Sequence, residues 1–169
     1  MESSKENEIS EIKIIVKEGK EIPISKKAAE LSELLKSAMI EYPKETSFPL
    51  NELDEKNGEL IKEYLIHYNG EPPKEIEKPI TSNDIKNLTD EWSSTFIDKL
   101  SVEDLSNLTV AANYMGINSL LDLCCAKVAT LCKDKTEDDI FKLFKITETF
   151  NEEEKNKIKS ENKCIEENL

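Results

Sequence analysis

Between Leu108 and Cys132 the sequence carries two apolar-striped helical patterns, one closing at Met115-Gly116 and the next opening at Asn118-Ser119. The tail after Cys132 has good helix-start signals but too little apolar surface to close a core of its own. A helix with a thin apolar stripe and no covering element is built to dock on something. A binding surface is therefore the leading expectation.

Composition sets the bounds. A chain of 169 residues can hold one domain with a real core and an appendage. With 35% charged and 37% hydrophobic residues, part of it must be solvated tail, loop or partner-dependent surface. The net charge of −13 opposes binding to nucleic acid or an anionic membrane. All 23 basic residues are lysine, which removes the planar guanidinium fork that grips phosphates and carboxylates. No apolar run approaches the roughly 18 residues needed to span a bilayer, and the first ten residues hold no hydrophobic signal region. The expectation is a soluble intracellular protein.

Residues 1–10 read as a disordered tail. Ile12, Ile14 and Val16 then alternate as a strand, Glu18-Gly19-Lys20 turns the chain, and Ile22 and Ile24 return, with Pro23 confining that strand to an edge. Ser25 caps a helix striped by Leu31, Leu34, Leu35, Ala38 and Met39. An extended piece at Phe48-Pro49-Leu50 precedes a helix carrying Leu60, Ile61, Tyr64, Leu65 and Tyr68. The order β-β-α-β-α makes residues 11–70 a small mixed α/β unit. Pro72, Pro73 and Pro79 mark residues 71–90 as a flexible linker, and residues 91–169 form a helical half. Within it Trp92 and Phe96 are core anchors, Ser101 and Asp104 resemble a capping box, and Leu105, Leu108, Ala112 and Met115 make a stripe. The next stripe is Leu120, Leu121, Cys124, Val128, Leu131 and Cys132. Thr136 and Asn151 start two last helices; the final one has only Ile158, Ile165 and Leu169 as firmly apolar residues.

Catalytic patterns are missing from the sequence. His67 is the only histidine, with no Ser or Cys constellation beside it, and the 4 glycines form no phosphate-binding loop. Cys124, Cys125, Cys132 and Cys164 include no CxxC pair, so free thiols, no metal and no cofactor are expected. Recognition residues remain. Asn113 and Tyr114 sit beside an apolar stripe, and Phe141, Phe144, Ile146 and Phe150 form either a small satellite core or a surface for a partner helix.

Taken in order, Ala111-Ala112-Asn113-Tyr114-Met115 and Leu120-Leu121-Asp122 resemble the signature of the Skp family, the adaptor subunits of Skp–cullin–F-box ubiquitin ligases. Trp92 and Phe96 before it extend the likeness, as do the Lys135–Ile140 run and the glutamate-rich tail from Glu152 to Asn162. The resemblance implies an α+β, BTB/POZ-type fold with a C-terminal helical extension, and a non-enzymatic adaptor found in cytoplasm and nucleus. By the same resemblance Asn113 and Tyr114 face a cullin. Leu121, Val128, Ile140, Phe144, Ile146, Phe150, Ile158 and Ile165 fall where an F-box is met. Three departures bear on F-box binding: Ser106 and Thr109 stand where relatives carry larger apolar residues, and Cys164 stands where a tryptophan is common. Asn151 replaces a proline that some relatives modify. The alternative is an Skp-like subunit of a cullin-free assembly at chromatin or the kinetochore; a small hydrolase or metal enzyme has almost no support. A free chain is expected to form a weak homodimer through its uncovered C-terminal stripe.

Overall fold

A computed structural model describes residues 10–147 and 151–166, which belong to two compact units, residues 1–134 and 135–169. The tail read at residues 1–10 falls, apart from Ser10, outside the described residues.

The first unit begins with the expected hairpin. Strands β1 (Glu11–Val16) and β2 (Glu21–Ser25) pair antiparallel, with Ile12 opposite Ile24 and Ile14 opposite Ile22. Alternation sends Ile12, Ile14, Val16, Ile22 and Ile24 to one buried face. Gly19, at φ +80°, supplies the left-handed turn. A third strand, β3 (Ser47–Leu50), pairs parallel with β1, so the sheet order is β2-β1-β3. Both edge strands carry a proline, Pro23 and Pro49, on their exposed face. A parallel partner requires a crossover, and helices α1 (Lys26–Ala29) and α2 (Glu33–Glu41) supply it.

That crossover differs from the single helix read from Ser25 onward. Ser25 does cap α1, its Oγ accepting from Ala28 N at 3.2 Å, but the helix stops after one turn. Ser32 then caps α2, accepting from Leu35 N at 3.2 Å. Ser32 is fully buried and its hydroxyl also donates to Met115 O, a tertiary tie that local periodicity does not reveal.

Helix α3 (Glu55–Tyr68) starts at Asp54, whose Oδ1 accepts from Asn57 N at 2.8 Å, and buries Gly58, Ile61, Tyr64 and Leu65. Gly58 lies against the sheet at backbone distance. A Cβ there would stand 2.7 Å from Ile22 Cδ1 and 2.9 Å from Val16 Cγ1. Residues 71–90, read as linker, contain one 3₁₀ turn at Ile85–Asn87; Ile85 is buried, and Ile76, Ile80 and Leu88 pack on the core.

Helix α4 (Glu91–Asp98) is capped by Asp90 and places Trp92 between His67 and Phe96, with ring centroids 3.7 and 5.1 Å away. Burial would push the Asp90 carboxyl up, but hydrogen bonds from Ser93 N, Ser93 Oγ and Tyr68 OH outweigh it and hold it below the usual range. Helices α5 (Val102–Met115) and α6 (Asn118–Cys132) complete the unit. The α5 stripe is as read: Leu105, Leu108, Ala112 and Met115 are buried. On α6 the core takes Leu120, Leu123 and Cys124, leaving Leu121, Val128, Leu131 and Cys132 half-buried.

The second unit holds α7 (Glu137–Phe144) and α8 (Glu152–Glu166). Thr136 caps α7 as expected, its Oγ1 accepting from Asp139 N, and three acidic residues follow in the first turn. Asn151 and Glu154 form a reciprocal capping box on α8, each side chain accepting from the other's backbone N–H at 2.9 Å. No residue of α7 is buried.

The packing at Gly58 generates a test. An alanine in an open helix interior usually gains about 1 kcal/mol over glycine. Here Gly58→Ala is expected to reverse the sign and cost about 1–3 kcal/mol through overpacking against Ile22 and Val16. Urea unfolding of the two proteins measures the difference; an unchanged or raised midpoint would contradict the close approach.

Candidate functional site

The corner between α5 and α6 is built on backbone chemistry. Gly116, at φ +62°, ends α5, and Gly116 N and Ile117 N return to Asn113 O and Ala112 O at 3.1 and 3.0 Å. A Cβ on Gly116 would stand 3.0 Å from Glu33 Cβ, so the start of α2 sits directly against this cap. Three bonds join the two. Ser32 Oγ donates to Met115 O at 2.6 Å, Glu33 N to Gly116 O at 3.3 Å, and Asn118 Nδ2 to Glu33 Oε1 at 2.9 Å.

Asn113 and Tyr114 occupy the last turn of α5 and are both exposed. Val110, four residues before Tyr114 on the same helix face, is 68% exposed. Ile40 and Tyr42, at the end of α2, are exposed as well. The sequence reading missed Val110 and Ile40 as surface residues; the spacing of Val110 to Tyr114 was the available signal. Of the two departures on α5, Ser106 is exposed, while Thr109 turns inward and donates to Leu105 O at 2.6 Å.

On α6, Leu121 and Val128 are half-buried and packed on the core, with exposed Cys125 between them. The buried Cys124 thiol is pushed up to about 12 by desolvation, which outweighs a hydrogen bond with Thr109, so its thiolate is unavailable at neutral pH. Lys78 Nζ pairs with Asp122 Oδ1 at 2.9 Å beside this stripe.

Within the second unit, Ile140 and Phe144 lie one turn apart on α7 and are half-buried, as are Phe141 and Leu143. Ile146 is exposed after the Lys145 cap, and Ile158 is exposed on α8. Phe150 and the side chains of Ile165 and Cys164 lie outside the described residues.

Among the described residues no group of three His, Cys, Asp or Glu side chains is placed to hold a metal ion, and no described helix is long and apolar enough to cross a membrane. The hydroxyls of buried Tyr64 and half-buried Tyr68 are shifted up chiefly by desolvation, Tyr68 to about 12, and both are spent on structural hydrogen bonds. An open groove of about 650 Å³ is lined by Leu60, Ile66, His67, Trp92 and Leu100, with Lys56, Lys62, Glu59 and Glu63 around it. What the chain presents is exposed apolar and amide side chains on well-held helices.

Known proteins resemble this chain along nearly all of its sequence. The model of the Skp1 family, dimerisation domain, matches residues 118–165, from the start of α6 into α8. The S-phase kinase-associated protein 1 homolog of Tetrahymena thermophila is 38% identical over 158 residues, 94% of this chain and 95% of that protein. The E3 ubiquitin ligase complex SCF subunit sconC of Arthroderma otae is 31% identical over 158 residues, 93% and 95% of the two chains. Its namesake from Aspergillus flavus is 32% identical over 151 residues, 88% and 92%. The small mixed sheet with packed helices agrees with the BTB/POZ-type α+β fold that the resemblance implies. With a likeness that takes in the hairpin half as well as the helical tail, the chain belongs to the Skp1 family.

Proposed function

We propose that this protein is a non-catalytic adaptor of a Skp–cullin–F-box ubiquitin ligase, joining a cullin scaffold to F-box substrate receptors. The observation that carries the reading is the near full-length similarity to relatives named as SCF ubiquitin ligase subunits. The separation of the exposed residues supports it: Asn113 and Tyr114 end α5, and the second apolar set begins on α6. Asn113 and Tyr114 would meet the cullin. Leu121, Val128, Ile140, Phe144, Ile146, Phe150, Ile158 and Ile165 would meet the F-box.

The mechanism is tethering. A rigid adaptor that holds both partners converts substrate encounter into a local event at raised effective concentration, with no bond made or broken by the adaptor itself. The half-buried stripe of Ile140 and Phe144, with no fully buried residue on α7, supports a surface completed by a partner. The same surface, uncovered, would give the free chain a weak homodimer, consistent with the family model's description as a dimerisation domain. Such an adaptor would work in cytoplasm and nucleus.

Two outcomes are expected. Replacing Asn113 and Tyr114 by alanine weakens cullin binding at least about tenfold, roughly 1.4 kcal/mol, and leaves F-box binding intact. Calorimetry with each purified partner reads both affinities; equal loss for both, or for neither, contradicts the assignment. A variant that loses cullin yet sustains cell function would favour the cullin-free assembly. For the homodimer, light scattering of the free chain should show mass rising with concentration and returning to monomer plus partner when an F-box protein is added. A fixed monomer mass at high concentration would remove the dimer.

A further inference from the structure

Helix α2 begins where α5 ends, and each supplies what the other lacks. A helix N-terminus has orphan N–H donors and a C-terminus orphan carbonyls. Here Glu33 N donates to Gly116 O at 3.3 Å, and the positive end of one helix dipole meets the negative end of another. Ser32 is the centre of the arrangement. Its side chain is fully buried, and its hydroxyl accepts from Leu35 N and donates to Met115 O, joining segments 83 residues apart. The break between α1 and α2 places it there. In an unbroken helix from Ser25, position 32 would lie mid-helix, with no free N-terminus aimed at α5.

We infer that Ser32 is a positioning residue for the Asn113–Tyr114 surface. It holds the carbonyl of Met115, the residue after Tyr114, and with Glu33 and Asn118 it fixes the cap that ends this turn. An exposed turn held in this way presents its side chains already ordered, so a partner spends less of its binding free energy on ordering them. The stripe on α6 is anchored by Leu120, Leu123 and Cys124 in the core, and Ser32 makes no hydrogen bond to it. Loss of the Ser32 tie therefore weakens one face and spares the other. The inference rests on the assignment of Asn113 and Tyr114 to the cullin.

The test uses full-length protein, a recombinant cullin N-terminal region and an F-box protein from the same cells. Ser32→Ala is expected to weaken cullin binding about fivefold, as for loss of one hydrogen bond, while F-box affinity stays within about twofold. Hydrogen exchange of the free chain should quicken at Leu35, Gly116 and Ile117 and not in β1. Ile12→Val, a core trim on β1 that removes none of the hydrogen bonds at this corner, serves as the control for destabilisation alone and should change neither affinity. Asn118→Ala removes only the exposed bond to Glu33, keeps the fold and should shift cullin binding in the same direction by a smaller factor; it decides the matter if Ser32→Ala does not fold. Cullin binding unchanged in a folded Ser32→Ala, or both partners weakened equally in it and in Ile12→Val, would overturn the inference. An unmodified chain that binds F-box protein but no cullin would overturn the adaptor reading itself, and this inference with it.

Discussion

The close approach of α3 to the sheet at Gly58 is the constraint on which the first unit depends. Without a side chain there, the helix settles against Ile22 and Val16, and Ile61 and Leu65 reach the same core as Ile12, Ile14 and Ile24. The parallel β3 completes that layer through Phe48 and Leu50, brought alongside β1 by the α1–α2 crossover. The core then continues without a break through Leu105, Leu108 and Ala112 on α5 to Leu120 and Leu123 on α6. Surface ion pairs such as Lys13–Glu21 and Lys99–Glu63 are half exposed at both ends, so water screens them and they add little. Burial, not charge pairing, holds this fold.

A chain with so low an apolar content cannot bury every helix. Its buried apolar core runs from Ile12 to Ala126, while Ile40, Ile66 and Val110 in the same stretch stay exposed. What lies beyond is acidic and thinly striped, and α7 has no buried residue of its own. That distribution gives a partner-binding protein its two properties at once. The corner of α5 and α6 is tied by donors and acceptors matched across long sequence separation, and the apolar stripe of the tail is the surface proposed for a partner.

Local signals in the sequence mapped much of this. Alternation at Ile12, Ile14 and Val16 marked the strand, and side-chain caps at Ser25, Ser101, Thr136 and Asn151 marked true helix starts. The α5 stripe was right at every position because its 3.6-residue period is set by burial alone. The misses share a cause. The split of α1 from α2 comes from a hydroxyl bonding a carbonyl 83 residues away, and the parallel direction of β3 comes from a crossover path; neither leaves a mark within one window of sequence. Leu123 entered the core in place of Leu121 because the buried face of α6 is turned toward Leu123, Ala126 and Thr130, away from its most regular apolar stripe. Asn113 and Tyr114 stood out as recognition candidates beside the α5 stripe, but a cullin as their partner comes only from family likeness, since no local pattern tells which partner an exposed amide and phenol would meet.

As the proposed adaptor, one copy of this chain holds two different partners at the same time. Multi-angle light scattering on a mixture of the full-length chain, a cullin N-terminal region and an F-box protein tests it directly. A single species with the mass of a 1:1:1 complex is expected, formed at equal affinity whichever partner is added first. Partners that displace each other, leaving only the two binary complexes, would contradict it.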